Sequence, residues 1–587
     1  MRNGWSGVVV IVCAALAAVS CTRGKSREEK QAAATSSTAQ GAQPQPVAPA
    51  ATGADSDWIA GKLPASVMQG EPHVGGDLTA GMRSEPPSLN TLVDSDLVAA
   101  WMTEHRVYQS LINLDPFDPD KAVPELATSW EVSPDKLTYT FHLRHDVKWH
   151  DGLPFAARDV IATFDKVMDP TSKSAHIRSM LTELASYTAP DEYTVVFKWK
   201  KPYFLALDTA GGIEIQPAHV IARMTGSQYN EAASNPLNRS PIGTGPFKFV
   251  RWDSGQKIVL ARNDDYWGQK PYLDRLIFRI ETDHTVMLQL AERGDIDLVD
   301  QVTSDQWQHM DSPVLHTKWN RSKFYANNYA WIGWNEERPF FKDARVRKAL
   351  TLLVDRPGIL DKMLRGLPRP TTCHFYWASS ACDPNLKPLP YDPAAARALL
   401  DEAGWKDTNN DGVRDKGGVA LHFVLMLPVG ASEAALWAAK VKEDFAHAGI
   451  EMDLQTVEWA AYSKRLREHS FDACTLLWGS TGSRDEPSQI WHSSSIKGGS
   501  NYISFKNAEV DKLLEEARVT LDDAARNEMY RKFGAILYAE QPYTWLYVRP
   551  ELGLLSKKIK GARESLAWWQ FERMWIDPSW SHESTPK

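Results

Sequence analysis

The chain has 587 residues, 24 % charged and 43 % hydrophobic, with a net charge of −8 at pH 7. At about 150 residues per domain, that length predicts three or four domains with sizeable cores. Sixty-six basic against seventy-four acidic residues, with no dense Lys/Arg stripe, exclude a nucleic-acid-directed surface.

The first element reads as an export signal over residues 1–20. Arg2 supplies a positive start, and Val8 to Val19 form an uncharged apolar run of twelve residues. A spanning helix needs about 20 such residues, so the run is too short to cross a bilayer. It ends in Ala18-Val19-Ser20-Cys21, small residues before a cysteine, as in a bacterial lipobox, and Cys21 is the expected lipidation site. Residues 21–73 are rich in Ala, Ser, Thr, Gln, Pro and Gly and read as a disordered tether. As a coil of about fifty residues it would reach on the order of 40 Å.

Beyond the tether, strands and helices alternate. Leu137, Tyr139, Phe141 and Leu143 alternate with polar residues, the period of a half-buried strand, and Val195, Phe197 and Trp199 repeat it. Asp343 opens a helix whose Val346, Ala349, Leu350 and Leu353 share one face. Asp392-Pro393 starts a helix that stops at Gly404, and residues 510–517 and 524–539 read as paired amphipathic helices. The class is mixed α/β with two lobes.

Several groups of residues invite a chemical reading. His142, His145 and His150 fall on strand and turn at spacings that do not converge on a metal. Gly243-Thr244-Gly245-Pro246 lacks the Lys-Ser/Thr of a phosphate loop and reads as a tight turn. Neither Gly-x-Ser-x-Gly nor His-Glu-x-x-His occurs, and no carboxylate pair is marked as catalytic, so no enzyme is predicted. From Asp407 to Asp415, oxygen-bearing side chains fall in a calcium-loop order around Gly412, but Gly418 stands where the bidentate Glu belongs. Turn-forming residues account for the same pattern without a metal. Cys373 and Cys382, close together in a Pro-rich loop, predict a local disulfide in an exported protein, and Cys474 reads as a buried thiol. Trp is abundant, with 23 residues, which suits either a core or a recognition cleft.

The most specific run is Pro124-Glu125-Leu126-Ala127-Thr128-Ser129-Trp130, then Tyr139-Thr140-Phe141-His142-Leu143-Arg144, then Val147-Lys148-Trp149-His150-Asp151-Gly152. It resembles the signature of the bacterial extracellular solute-binding proteins of family 5, the oligopeptide-, dipeptide- and nickel-binding proteins of ABC importers. Pro241 to Phe247, Asn263 to Trp267, Pro339 to Leu350 and Tyr391 to Trp405 resemble further landmarks of that family in the same order.

The resemblance implies a type II two-lobe periplasmic-binding-protein clamp with an extra inserted domain and the ligand cleft between the lobes. It places lobe I in residues 74–108, 233–330 and 546–587, the inserted domain in 109–232 and lobe II in 331–545. It implies a monomeric receptor with no cofactor, lipid-anchored in the cell envelope, that hands a peptide or related solute to ABC permease subunits. A sensor, or a receptor for a siderophore-like compound, oligosaccharide or metal chelate, is the alternative.

Peptide-binding relatives place an Asp for the ligand's α-ammonium after a Trp and before a Pro. The matching stretch runs from Trp478 and Gly479 to Pro487, with Ser483 or Thr481 at the Asp position. Asp485, or Asp94 and Asp96 on the opposite lobe, are the candidate substitutes, and Arg484 would favour an anionic ligand. Trp478 is the one indole placed at the ligand by this reading; Trp130, Trp149, Trp267 and Trp405 fall in scaffold motifs.

Overall fold

The computed structural model describes residues 61–94, 96–115, 118–480, 484–563 and 569–580. The expected signal, the lipidation site Cys21 and most of the tether lie outside them. Two large sheets form the lobes. Lobe I carries a seven-stranded sheet in the order Trp319–Phe324, Glu551–Ser556, Leu298–Val299, Asp77–Met82, Arg275–Ile280, Lys257–Arg262, Phe247–Asp253. Lobe II carries a six-stranded sheet in the order Arg369–Pro370, Tyr543–Val548, Asn327–Trp334, Ala473–Ser480, His422–Pro428, Glu451–Val457. The inserted domain has a four-stranded antiparallel sheet containing Ala127–Val132, Thr138–Leu143, Thr194–Trp199 and Leu184–Asp191.

Local patterning explains these elements. In Thr138–Leu143 the side chains of Tyr139, Phe141 and Leu143 are buried and their neighbours half-buried, the period-2 arrangement of a strand with one covered face. Asn327–Trp334 is buried throughout because it lies inside its sheet with a core on each side. Tyr329 and Trp331 join the cluster containing Trp478, Trp491 and Tyr543, while Ala330, Ile332 and Trp334 join the one containing Phe341, Phe423 and Phe445. Trp331 stacks on Tyr543 with ring centroids 3.9 Å apart. Six indoles, those of Trp319, Trp331, Trp334, Trp437, Trp491 and Trp545, rank among the largest fully buried side chains, so the Trp surplus is spent largely on cores.

The helices start where their caps place them. Asp343 accepts from the Arg345 N–H, and Asp392 accepts from those of Ala394 and Ala395. Helices Ala508–Val519 and Asp523–Glu540 occupy the two segments read as paired helices.

Three expectations are corrected by the structure. Residues 61–73 are not all tether: Ala65–Met68 forms a short 3-10 helix, and Val67, 2 % exposed, packs into the lobe I core with Leu63 beside it. The boundaries expected at 330/331 and 545/546 fall inside strands of the lobe II sheet. The chain crosses between sheets at 325–326 and 549–550, where Asn328 joins the two crossings by donating to the Arg549 carbonyl and accepting from its N–H. At the bend over 244–246, Gly243 and Gly245 are needed for a close approach of the chain. A Cβ on either would lie 1.7 Å from the Val107 carbonyl oxygen or 2.3 Å from that of Arg106.

Two loops are closed by their own bonds. Cys373 and Cys382 are joined by a disulfide. In the calcium-like loop, Asp407 accepts from Gly412, Asp411 from Val413, and the Asp415 carboxylate from the Thr408 N–H and hydroxyl, the self-contained bonding of Asx turns.

His150 belongs to a neutral scaffold contact. Its Nδ1 accepts from the Gly243 N–H and its Nε2 faces the Gly245 carbonyl oxygen at 3.0 Å, so the bonding fixes the Nε2–H tautomer. Burial pushes this imidazole down to about 4, with Lys248 acting the same way and the Gly245 bond and Asp151 opposing. The unfolded imidazole, at about 6.5, binds its proton first as pH falls. Stability is therefore lost between roughly pH 6.5 and 4, by up to about 3 kcal/mol. Chemical denaturation at pH 7 and pH 4.5 should show a smaller acid loss for His150→Gln than for the wild type; equal losses would remove His150 from the account.

Candidate functional site

The parallel strands of both sheets point their C-terminal ends at one another. Asp77–Met82, Arg275–Ile280 and Leu298–Val299 run parallel in lobe I and lead to Arg83, His284 and Gln301. His422–Pro428 and Glu451–Val457 run parallel in lobe II and lead to Val429–Ala434 and Trp459. Between these ends lies a cavity of about 520 Å³. Crevices outside the carboxyl ends of strands are where open α/β sheets hold ligands, and the volume lies in the range of ligand pockets.

Its walls combine rings and both signs of charge. Trp459 presents aromatic surface, with the buried rings of Trp437 and Tyr547 behind the wall, Arg83 and Arg549 supply positive charge, and Glu433 and Glu551 negative charge. Burial lowers Arg83, while Asp300 and Glu551 oppose the shift. Asp300 is pushed up to about 6 by burial, against the pull of Arg83. One bond already spans the two lobes: the Ser304 hydroxyl donates to Glu433 at 2.9 Å. Ser304 opens a helix capped by Thr303, and Glu433 lies in the first turn of Ser432–Ala446, so both helices bring their N-termini to the cavity.

The lobe II sheet splays at this point. Strand Ala473–Ser480 pairs with His422–Pro428 only at Ala473 and Cys474, and from Thr475 onward it pairs on one side alone, with Asn327–Trp334. Thr475, Leu476 and Leu477 line the cavity beside that edge, where the Thr475 carbonyl accepts from the Tyr462 hydroxyl at 2.8 Å.

The residues singled out in the sequence lie elsewhere. Trp478 is 5 % exposed, stacked between Trp331 and Tyr502 in the lobe II core, with its indole N–H directed at the Tyr543 hydroxyl. Gly479 pairs with Asn328 at the end of its strand, and Ser483 lies outside the described residues. Arg484 is not presented to an anionic ligand. It bonds Asp208 of the inserted domain at 3.0 Å, with Asp523 at 3.5 Å. Asp485 pairs with His374 at 3.4 Å. On lobe I, Asp96 is the N-cap of Leu97–Thr103 and accepts from Ala99, while Asp94 is raised by burial and by Asp96. Neither Asp94 nor Asp96 lines the cavity. The lining residues come from positions 83, 284, 301–304, 330, 428–434, 437, 459, 475–477, 547 and 549–552, and carry no local motif that marks them.

Three comparisons bear on this arrangement. A family model described as bacterial extracellular solute-binding proteins, family 5 Middle, matches residues 121–501. The chain is similar to the oligopeptide-binding protein AppA of Bacillus subtilis, 32 % identical over 508 residues that cover 84 % of this chain and 90 % of that protein. A structure of that AppA in complex with a nonapeptide matches with a TM-score of 0.71 at 29 % identity, covering 86 % of this chain and 100 % of that one. A putative ABC transporter peptide-binding protein of Brucella abortus is 31 % identical over 454 residues, 75 % of this chain and 81 % of that protein. NikA of Brucella suis, solved with Fe(III)-EDTA, shares the fold with a TM-score of 0.74 at 24 % identity, covering 85 % of this chain and 100 % of that one.

Proposed function

Since this chain belongs to the bacterial extracellular solute-binding proteins of family 5, we propose that it is the substrate-binding receptor of an ABC importer, taking peptides between its lobes. No bond is broken in this reading. Ligand contacts both lobes only when the clamp is closed, so binding shifts the population towards the closed form that a permease receives.

The splayed edge at Leu476 and Leu477 carries the peptide reading. An extended peptide can add to it by main-chain pairing, which is independent of side chain, while Trp459 offers surface to its side chains. The two Arg and two Glu residues on the walls match a ligand with opposite charges at its ends. The reading extends to an envelope protein held through Cys21.

Thermal melting of the purified protein against short peptides, oligosaccharides and metal chelates tests the ligand class. A ligand at about 100 times its Kd contributes about 2.7 kcal/mol, a rise of several degrees. Peptides should give that rise; a shift with another class and none with peptides would replace the ligand proposed.

A further inference from the structure

Four charged side chains line the interlobe cavity, and three of them are engaged. Glu433 accepts from Ser304 at 2.9 Å, and Arg549 lies 3.8 Å from Glu551. The fourth is Arg83, which follows the central strand Asp77–Met82 of lobe I and is half-buried. Among the described residues its guanidinium forms no hydrogen bond and no ion pair. Nor is it walled in. Buried polar atoms without a partner occur at Asp300 but not at Arg83, so its N–H groups open on the cavity that the residue lines.

The neighbouring groups do not take up that charge. Burial lowers Arg83 most; Asp300 and Glu551 oppose the shift without pairing with it, and the like charge of Arg549 adds to it. His284 stands beside Arg83 at the start of helix His284–Arg293, and its ring also forms no hydrogen bond among the described residues. Burial and the charge of Arg83 lower this imidazole, against Asp283, so at neutral pH it offers an uncharged N–H. A partly dry guanidinium with its donors unmet is costly, and an anion that meets two of them at once recovers that cost. The planar fork of Arg fits the two oxygens of a carboxylate.

We propose that Arg83, with His284 as a second donor, receives a carboxylate of the ligand in the interlobe cavity. The inference rests on the receptor reading above and narrows its ligands to acids. Both donors belong to lobe I, whereas the open strand edge at Leu476 and Leu477 belongs to lobe II. One lobe then holds the charge and the other the main chain, so a ligand that engages both ties the lobes together.

The test is calorimetry of the purified protein with four probes. Tetra-alanine carries a terminal carboxylate, its C-terminal amide carries none, Ala-Glu-Ala-Ala amide carries one on a side chain, and glutarate is an acid without a peptide. Wild type should bind tetra-alanine or the Glu peptide at least about tenfold more tightly than tetra-alanine amide. Preference for the first assigns the carboxylate to the chain end, and preference for the second assigns it to a side chain. Arg83→Gln should bring acid and amide within about twofold. Were Arg83 only the counter-charge of Asp300, that variant would melt lower with its acid-to-amide ratio unchanged, and the inference would be overturned. Should Arg83→Gln not fold, Arg83→Lys is read instead. It keeps the charge beside Asp300 but loses the fork, and it must lower the ratio; an unchanged ratio there also overturns the inference. Equal binding of acids and amide by the wild type overturns the carboxylate subsite and leaves the peptide reading intact. Glutarate binding that needs Arg83, with no peptide bound, supports the subsite and overturns the peptide reading. No binding of any probe overturns both.

Discussion

Replacing Arg347 with alanine should cost the folded protein about 3–5 kcal/mol, because it strands a buried charge network. The Arg347 side chain is 1 % exposed. Its Nε donates to the Glu540 carbonyl at 3.0 Å, one Nη to the Phe341 carbonyl at 2.7 Å, and the other to the Glu540 carboxylate at 3.0 Å. Glu336 lies 3.6 Å away and is pushed up to about 7 by burial, with Arg347 opposing. The guanidinium thus ties helix Ala344–Leu352 to the last turn of Asp523–Glu540, where helix carbonyls lack partners and attract positive charge.

Alanine leaves those carbonyls without a donor and the carboxylates without a cation. Lysine restores a charge but not the fork that reaches three acceptors, so Arg347→Lys should fall between wild type and alanine. Arg345, two positions earlier, has a side chain 44 % exposed towards Asp343 and Glu402, and its removal should shift the midpoint little. Urea unfolding followed by tryptophan emission measures the set. An Arg347→Ala loss below about 1 kcal/mol would mean that water replaces the network at little cost.

The contrast between Arg345 and Arg347 shows what a sequence can and cannot convey. Their helix was readable from Asp343 and from the spacing of Val346, Ala349 and Leu350, since cap and period are local properties. Which arginine turns inward depends on the end of a helix nearly two hundred residues away. The same holds at the site. The strand Thr138–Leu143 and the signature after Pro124 identified the family, because a fold's scaffold is written in contiguous motifs. Arg83, His284, Glu433 and Arg549 meet only through the order of strands in two sheets, and no spacing announces that meeting. Trp478 is a related case: likeness to the relatives' loop places it at the ligand, but a likeness of sequence does not say which way a side chain turns, and here the indole is buried between Trp331 and Tyr502.

Arg484→Met should weaken ligand binding by about thirtyfold, although Arg484 does not line the interlobe cavity. It stands where the inserted domain meets lobe II. Its Nη1 bonds Asp208 at 3.0 Å, and the two side chains are 17 % and 18 % exposed. Around them the Phe204 N–H donates to the Arg518 carbonyl at 3.0 Å, Arg526 lies 4.3 Å over the Phe204 ring, and Arg518 lies 4.5 Å over that of Tyr203. In the receptor reading, lobe II parts from the rest of the chain when the clamp opens, which separates these groups and assigns their contact energy to the closed form. Truncating one member of such a charge pair costs about 2 kcal/mol or more, at the low end when the pair is partly wet.

That loss passes into affinity according to the resting population. Where the empty clamp is mostly open, the apparent Kd rises by the full factor; where it is mostly closed, the first part of the loss is absorbed before affinity changes. Small-angle scattering of the empty protein fixes which case applies, and calorimetry with the peptide giving the largest melting shift measures the factor. The double variant Arg484→Met with Asp208→Asn should recover part of the affinity, since no charge is then left stranded at the seam. Binding by Arg484→Met within about twofold of wild type, with an unchanged open population, would show that this seam does not hold the clamp shut.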